Sequence, residues 1–353
     1  MHSESPIYLD GATKSGSGTI VRYAVALSSL LGRKLHMVNI RAKRDKPGLR
    51  HQHLKAVQAC AEMCGGRLTG ASLGSREISY EPGDAIPGGR HEWDIGTAGS
   101  TTMLAMATIP LACFADRETV LRITGGLFQD FAPSAHHMQY VLLPLLDRMG
   151  VHAQFSIVRP GYVPRGGGVI EIAVEPVRGR LKPITLLEQR TVRQIKGIAL
   201  SSQLKEQRVS ERMAEACRRV LKARGHAARI DTIYDDFSLQ AGASLAVWAE
   251  MEEGSVLGAD RAGRRGRSSE EIGRFVAEAL LEDIDSGAAV DRHVADQLIL
   301  HAALADGESQ YIIPRMTDHV ETNLWLVEQF GAEVQVRDNL IAIRGIGYKA
   351  GTR

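Results

Sequence analysis

The chain has 353 residues, 44% of them hydrophobic and 24% charged, with a formal net charge of +2. That length holds a substantial core and room for two domains, while so small a net charge excludes a chain that binds polyanions through bulk charge alone. Four cysteines fit a reduced, cytoplasmic setting. The opening MHSESPIYLDG has no basic–apolar–small signal pattern, and no apolar run is long enough to span a bilayer, so no membrane partner is expected.

Residues 6–10 (PIYLD) are expected to form a strand that runs into GATKSGSG. An apolar helix from Thr19 to Leu31, a strand over 35–41, a basic loop over 42–50 and a helix from about His51 to Cys64 follow. Between Arg33 and Lys55, eight lysines and arginines stand against one acid, Asp45. The reading is an anionic partner or a solvated face. Cys60 and Cys64 lie i,i+4 on one helix, but no further ligands at suitable spacing complete a metal set, and helix packing is the better reading.

The plan of apolar helix, strand, loop, second helix, glycine and two short strands recurs twice. The second copy spans about 94–177, opens at TAGSTT and has its second helix stopped by Gly150. The third runs from HVADQLILHAALADG through TDHVETNLWLVEQFG to AEVQVRDNLIAIRGIG. The closing glycine falls at Gly65, Gly150 and Gly331, so the first step is 85 residues and the second 181, an excess of 96. That excess is roughly one small domain. Within it, strands over RQIKGIALSS, ARIDTIYDDF and ASLAVWAEME alternate with two amphipathic helices, the second capped by serines. The expected class is therefore α/β, of the α+β kind: three repeated α/β units forming a large domain (1–183 and 288–353) with a small, docked α/β insert (184–287).

Equivalent loops of a repeat fold are where function concentrates. GATKSGSGT lies between a strand and a helix, where backbone N–H groups and the helix start can hold phosphate, with Lys14 in reach; a tight structural turn fits equally well. TAGST at 97–101 fits helix packing or a ligand site, and GYVPRGGG at 161–168 fits a hairpin or a close backbone approach. His319, in TDHVETN, is a nucleophile or general base, or else a histidine hydrogen-bonded at a helix start. Asp296 and Gln297 in DRHVADQ can read a base edge or serve as caps.

Together DGATKSGSGTIVR, IRAKRDKPGLRHQHL, IGTAGST, GYVPRGGG, ADQL and HVETN resemble the RNA 3'-terminal phosphate cyclase family, over nearly the whole chain. The resemblance implies three α/β repeats with an inserted domain. It implies ATP-dependent conversion of an RNA 3'-phosphate to a 2',3'-cyclic end through a histidine-linked AMP and an adenylylated RNA end. The position matching the nucleophile is His319. Positions near the phosphates and RNA end are Arg22, Arg41, Arg44, Gln52 and His53. The ATP-contacting positions are Met106, Pro133 and the stretch His293, Val294, Ala295, Asp296 and Gln297.

Departures from the family pattern stand at three places. A metal-holding glutamate before the glycines is Ser15 here, a glutamine after them is Thr19, and a nucleotide-contacting glutamine is Met106. The expected Mg2+ or Mn2+ thus has no evident carboxylate at 15, with Asp10 and Asp130 as substitutes. Partners are ATP and RNA with a 3'-phosphate end; the oligomeric state is not legible. A non-catalytic RNA- or ribonucleoprotein-binding relative and an enolpyruvyl-transferase-like enzyme are the alternative readings.

Overall fold

The computed structural model describes residues 6–351. Strand β1 (Ile7–Asp10) leads into α1 (Gly18–Leu31), β2 (Leu35–Val38), α2 (His51–Cys64), β3 (Arg67–Thr69) and β4 (Ile78–Glu81). The plan repeats with β5 (Gly89–Asp94), α3 (Thr101–Cys113) and β6 (Thr119–Gly125). A helix in three pieces follows: α4 (Ala135–His137), a π turn over Met138–Leu142 and α5 (Leu143–Arg148). Strands β7 (Ala153–Arg159) and β8 (Gly168–Val174) close this second unit. A third unit starts at β9 (Thr185–Leu186). The chain then departs through β10 (Val192–Ser202), α6 (Val209–Ala223), β11 (Ala228–Asp235), β12 (Gly242–Met251), β13 (Val256–Ala262) and α7 (Ser269–Asp285). It returns with α8 (Val294–Gln297), α9 (Ile299–Leu304), β14 (Glu308–Ile312), α10 (Asp318–Glu328), β15 (Glu333–Arg337) and β16 (Leu340–Arg344).

Three sheets share one order and one pattern of strand directions. They run β1-β2-β4-β3, β5-β6-β8-β7 and β9-β14-β16-β15, each with one parallel pair followed by two antiparallel pairs. The chain detour therefore falls inside the third unit, after its first strand. The strands alternate buried and half-buried positions, as in β6, where every second residue is buried. The glycines that end the second helices, Gly65, Gly150 and Gly331, take φ of 65°, 95° and 98°, a region where a side chain is strained.

Helix α1 is the hub. Residues 18–30 are all buried, because α1 packs on α2, α3 and α10 and so touches a helix from every unit. Its sequence, GTIVRYAVALSSLL, is apolar or small on all faces, as an all-round buried helix requires. Arg22 is the exception.

The fourth sheet, β11-β10-β12-β13, carries α6 and α7 on one face over a separate core of Leu245, Val247, Met213 and Leu280. Its other face joins the main core through Ile198, Leu200 and Trp248. Trp248 stacks on Tyr140 with ring centroids 4.3 Å apart. A Cβ on Gly258 would meet Val141 at 2.5 Å, so the backbone of β13 lies directly on the π turn.

Three local features differ from expectation. Strand β2 stops at Val38 rather than 41, because Asn39 and Arg41 take left-handed φ of 52° and 55°. Strand β13 was not expected, since VLGADRA lacks clean alternation. The helix expected over SAHHMQYVLLPLLDRMG is interrupted by the π turn, next to Pro144, which has no N–H to continue the ladder.

Asp291 ties these parts together. Its carboxylate accepts from the backbone N–H of Gly258 (2.8 Å), His293 (2.8 Å) and Val294 (2.8 Å) and pairs with His137 Nε2 at 3.0 Å. Burial alone would raise this carboxyl; the facing His137 and the backbone donors instead bring it down to about 2. We expect Asp291→Ala to cost about 3–5 kcal/mol of stability, because four buried groups lose their partner. Urea unfolding checks this, and a loss below about 1 kcal/mol would contradict the role assigned to the carboxylate.

Candidate functional site

A cleft of about 540 Å³ opens where the three units meet. Its floor is the start of α1, with Ser17, Gly18, Thr19, Arg22 and Tyr23. Arg41 and Arg44 enter from the basic loop, and Gln52 and His53 from the first turn of α2. Met103 and Met106 come from α3, and residues 130–133 from the loop after β6. Arg292, His293, Asp296 and Gln297 line one wall; Arg315, Thr317 and His319 line the wall formed by the start of α10.

Most residues singled out in the sequence thus converge on one cavity. Val294 and Ala295 do not, being 0% and 1% exposed in the core. His293 through Gln297 form a helical turn, so His293, Asp296 and Gln297 share the face turned to the cleft and the two between them point inward. Ser15 does not line it either. Its backbone N–H donates to Thr322 Oγ1 at 3.2 Å, and the Thr322 hydroxyl donates to Ser15 Oγ at 2.8 Å, which ties the glycine loop to α10. Lys14 likewise faces outward, 3.9 Å from Glu321.

Arg22 is 4% exposed, yet one guanidinium nitrogen reaches only Met103 Sδ at 3.3 Å and Nε has no partner. Burial lowers its pKa, with Asp296 opposing. Asp296 itself is pushed up to about 7 by burial, against the pull of Arg22. Arg22 is therefore only half-compensated within the protein. Ser17 Oγ and Gln297 Oε1 are also buried without partners at this cleft. Such orphaned groups are costly unless something outside the chain satisfies them.

His53 is held neutral. Burial first, then Arg22, Arg41, Arg50 and Arg44, brings its imidazole down to about 2. Its Nδ1 accepts from the Arg50 backbone N–H at 3.4 Å, and its Nε2 lies where a Cβ on Gly18 would be, 2.0 Å away. Gln52 Oε1 accepts from the Ser100 N–H at 2.9 Å and fixes the glycine turn of the second unit beside the first. Arg41 is braced by its own loop, with Nη1 donating to the carbonyls of Lys46 (2.7 Å) and Gly48 (2.8 Å). Pro133 holds its place through its carbonyl, which accepts from Thr102 at 2.8 Å.

His319 stands in the first turn of α10, exposed to the cleft. Thr317 caps that helix by accepting from the Val320 N–H at 3.2 Å. Partial burial, followed by Arg44 and Arg22, lowers the His319 imidazole below its usual value, with Asp318 opposing. A neutral imidazole beside guanidinium groups suits attack on an anionic centre.

The residues present do not make a protein-built divalent-metal site. Among the described residues no three His, Cys, Asp or Glu side chains gather for one. Asp10 is turned to the Ala12 N–H at 2.8 Å. Asp130 lines the cleft but is bridged by both Arg267 donors at 2.8 Å, and Arg261 lies 3.4 Å away.

Ser17, Arg315, Phe131 and Met103 also line the cavity but were missed in the sequence. Arg315 precedes the HVETN turn by four residues, so its place in IIPRMTD was the available signal; Phe131 and Met103 carried none. The cysteines are buried helix packing, as read: Cys64 meets Tyr80 Oη at 2.9 Å and Cys60 donates to the Ala107 carbonyl at 3.6 Å. No described helix is long and apolar enough to cross a membrane.

Comparison with known proteins shows the family. The profile of a family described as "RNA 3'-terminal phosphate cyclase" matches residues 13–336. A protein of that name from Pyrobaculum neutrophilum is 37% identical over 347 residues, covering 97% of this chain and 99% of its own. One from Caldivirga maquilingensis is 39% identical, covering 92% of each. One from Methanosarcina mazei is 36% identical, covering 92% of this chain and 94% of its own.

The packing of His53 on α1 has a direct test. In an ordinary helix Gly→Ala gains about 1 kcal/mol. At Gly18 the added methyl collides with His53, and overpacking costs about 1–3 kcal/mol. Gly18→Ala is therefore expected to destabilise the fold or displace His53; a rise in melting temperature with unchanged ligand affinity would contradict the contact.

Proposed function

The chain belongs to the RNA 3'-terminal phosphate cyclase family, and on that premise we propose that it converts an RNA 3'-phosphate to a 2',3'-cyclic phosphate at the expense of ATP. What carries the reading is the meeting in one cleft of a neutral, accessible histidine, His319, with a buried, unsatisfied guanidinium, Arg22.

In the first step an imidazole nitrogen of His319 attacks the α-phosphorus of ATP. A nitrogen–phosphorus bond forms, the bond to the bridging oxygen breaks, and pyrophosphate leaves. In the second, a 3'-phosphate oxygen of the RNA attacks the same phosphorus, and AMP passes to the RNA as the imidazole leaves. In the third, the neighbouring 2'-hydroxyl attacks the RNA phosphorus, loses its proton and expels AMP. This last step is intramolecular, where orientation alone reaches effective molarities of about 10⁵–10⁸ M. The protein's task is then to place the reactants and to neutralise charge.

The residues divide along the cleft by chemistry. Met106, Pro133, His293, Asp296 and Gln297 offer apolar surface and polar edges for adenosine, Val294 and Ala295 only their backbone. Arg22, Arg41, Arg44, Gln52 and His53 offer donors to phosphates, and fixed guanidinium forks suit terminal ones. A divalent cation, Mg2+ or Mn2+, would have to be held largely by phosphate oxygens and water, since no carboxylate set stands ready; no step is assigned to it.

Incubation with α-labelled ATP followed by a denaturing gel tests the reading. Acid-labile label is expected on the wild type and absent from His319→Ala, whose fold should be intact. Equal labelling of the two would end the assignment. Because burial and two guanidinium groups disfavour the imidazolium, His319 stays neutral below the ordinary histidine pKa of about 6.5. The labelling rate should hold as pH falls through that value and drop only at lower pH; an acid limb centred above it would contradict the environment described. Arg41→Ala and Arg44→Ala are expected to weaken RNA use more than self-labelling, and equal loss of both would assign the arginines to ATP.

A further inference from the structure

Phe237 is 83% exposed, in a loop that is otherwise held rigidly. Both oxygens of Asp235 are engaged: the Phe237 N–H at 3.2 Å on one, the Ser238 N–H at 3.0 Å and the Ser202 hydroxyl at 2.7 Å on the other. Gln203 donates to the Ser238 carbonyl at 2.8 Å. A large ring exposed on a mobile loop asks for no explanation, but one presented on a braced loop forgoes about 1.5–3 kcal/mol of burial.

The loop is fastened to the second unit's GYVPRGGG turn. Arg165 donates from its backbone to Gln240 Oε1 at 2.9 Å and from its guanidinium to the Leu239 carbonyl at 2.8 Å, and Gln240 returns a bond to the Val163 carbonyl at 2.8 Å. The apolar patch so formed includes Val163 at 55% and Leu239 at 43% exposure.

The GYVPRGGG turn joins this patch to the neighbourhood of the cleft: a Cβ on Gly167 would meet Leu239 at 2.4 Å. A Cβ on Gly166 would stand 2.8 Å from the Thr97 carbonyl oxygen, and one on Gly99 3.1 Å from Cβ of Gln52, which lines the cleft. The buried Gly166 and the half-buried Gly99 thus pack together the two turns that lie between the cavity and the patch. Arg165 in the turn and Lys205 and Arg208 after β10 are exposed, with Asp236 and Glu206 exposed beside them in the sequence. With so little net charge, an anionic strand would be held here by ring stacking and a few cationic contacts rather than by bulk attraction.

We propose that the Phe237–Arg165 patch is a second binding site, which stacks an unpaired base of the RNA strand upstream of the 3' end while that end lies in the cleft. The site rests on the reading of the cleft as the seat of the RNA end. It predicts that a strand long enough to reach from the cleft past the Gly99 and Gly166 turns is used better than a short one, and that the gain belongs to Phe237. Every base has a stacking face, so the preference is for length over sequence.

The experiment compares a dinucleotide and a single-stranded dodecamer, both 3'-phosphorylated, on the full chain. Phe237→Ala is expected to raise KM for the dodecamer about tenfold, with kcat, dinucleotide use and self-labelling by ATP unchanged; Phe237→Tyr should restore it. Fluorescence anisotropy of the labelled dodecamer should show the same loss of affinity. Arg165→Ala should lower the slope of log affinity against log salt by about 0.7, one phosphate contact of a single strand. Equal dodecamer affinity and KM in Phe237→Ala and wild type would overturn the site and leave the patch to a protein partner. Absence of self-labelling in the wild type would instead overturn the cleft reading, and the anisotropy comparison would then decide the patch alone.

Discussion

A guanidinium buried on a helix that is itself buried along its length is the constraint around which this molecule is arranged. Arg22 sits on α1, which packs against helices of all three units. The protein supplies it with a methionine sulfur and a distant carboxylate that burial drives towards its neutral form. Burying a charge without a full partner is expensive, so the fold holds in reserve an attraction that an anionic ligand releases. Because the helix is the hub, any ligand that reaches Arg22 stands within reach of loops from every unit.

The repeat converts that single constraint into a site. The first and third units contribute the segments that open both of their helices, and the second contributes Met103 and Met106 of its first helix and the loop before its second. The glycine turn of the second unit is pinned to the first by Gln52, and the glycine loop of the first is pinned to the third by the Ser15–Thr322 pair. Where the family pattern has a carboxylate, this chain has at Ser15 a hydrogen-bonded tie between the first and third units. The fourth sheet is locked to the same assembly by Asp291, Trp248 and the Asp130–Arg267 pair, and it carries the GYVPRGGG neighbour that extends the surface beyond the cleft.

Electrostatically the cleft favours neutral histidines and desolvated anions. His53 and His319 are both lowered by burial and by the same cluster of arginines, though they differ in access: His53 is locked under Gly18 and His319 faces the cavity. Two residues of one type, in one field, are thereby separated into a fixed, packed imidazole and an accessible one.

Periodicity and spacing in the sequence were enough for the three-fold plan, the extra sheet and the buried helices, because helix period, strand alternation and glycine stops are local properties. The resemblance of the loops to a known family, rather than residue chemistry alone, pointed to His319, Arg22, Arg41, Arg44, Gln52 and His53. What local signals did not contain was which side chain of a short segment faces which way. In HVADQ the helical turn sends Val294 and Ala295 inward and Asp296 and Gln297 outward. The sequence placed the extra unit between repeats, whereas β9 pairs with β14 and the detour lies inside the third. The exposed ring of Phe237, the orphaned nitrogen of Arg22 and the ion-paired state of Asp130 were likewise decided only by tertiary structure. The contacts of Arg22 and Asp130 and the Gln203–Ser238 bond that braces the Phe237 loop each join residues more than 30 apart in the chain, and burial, desolvation and pairing arise only when those distant segments meet.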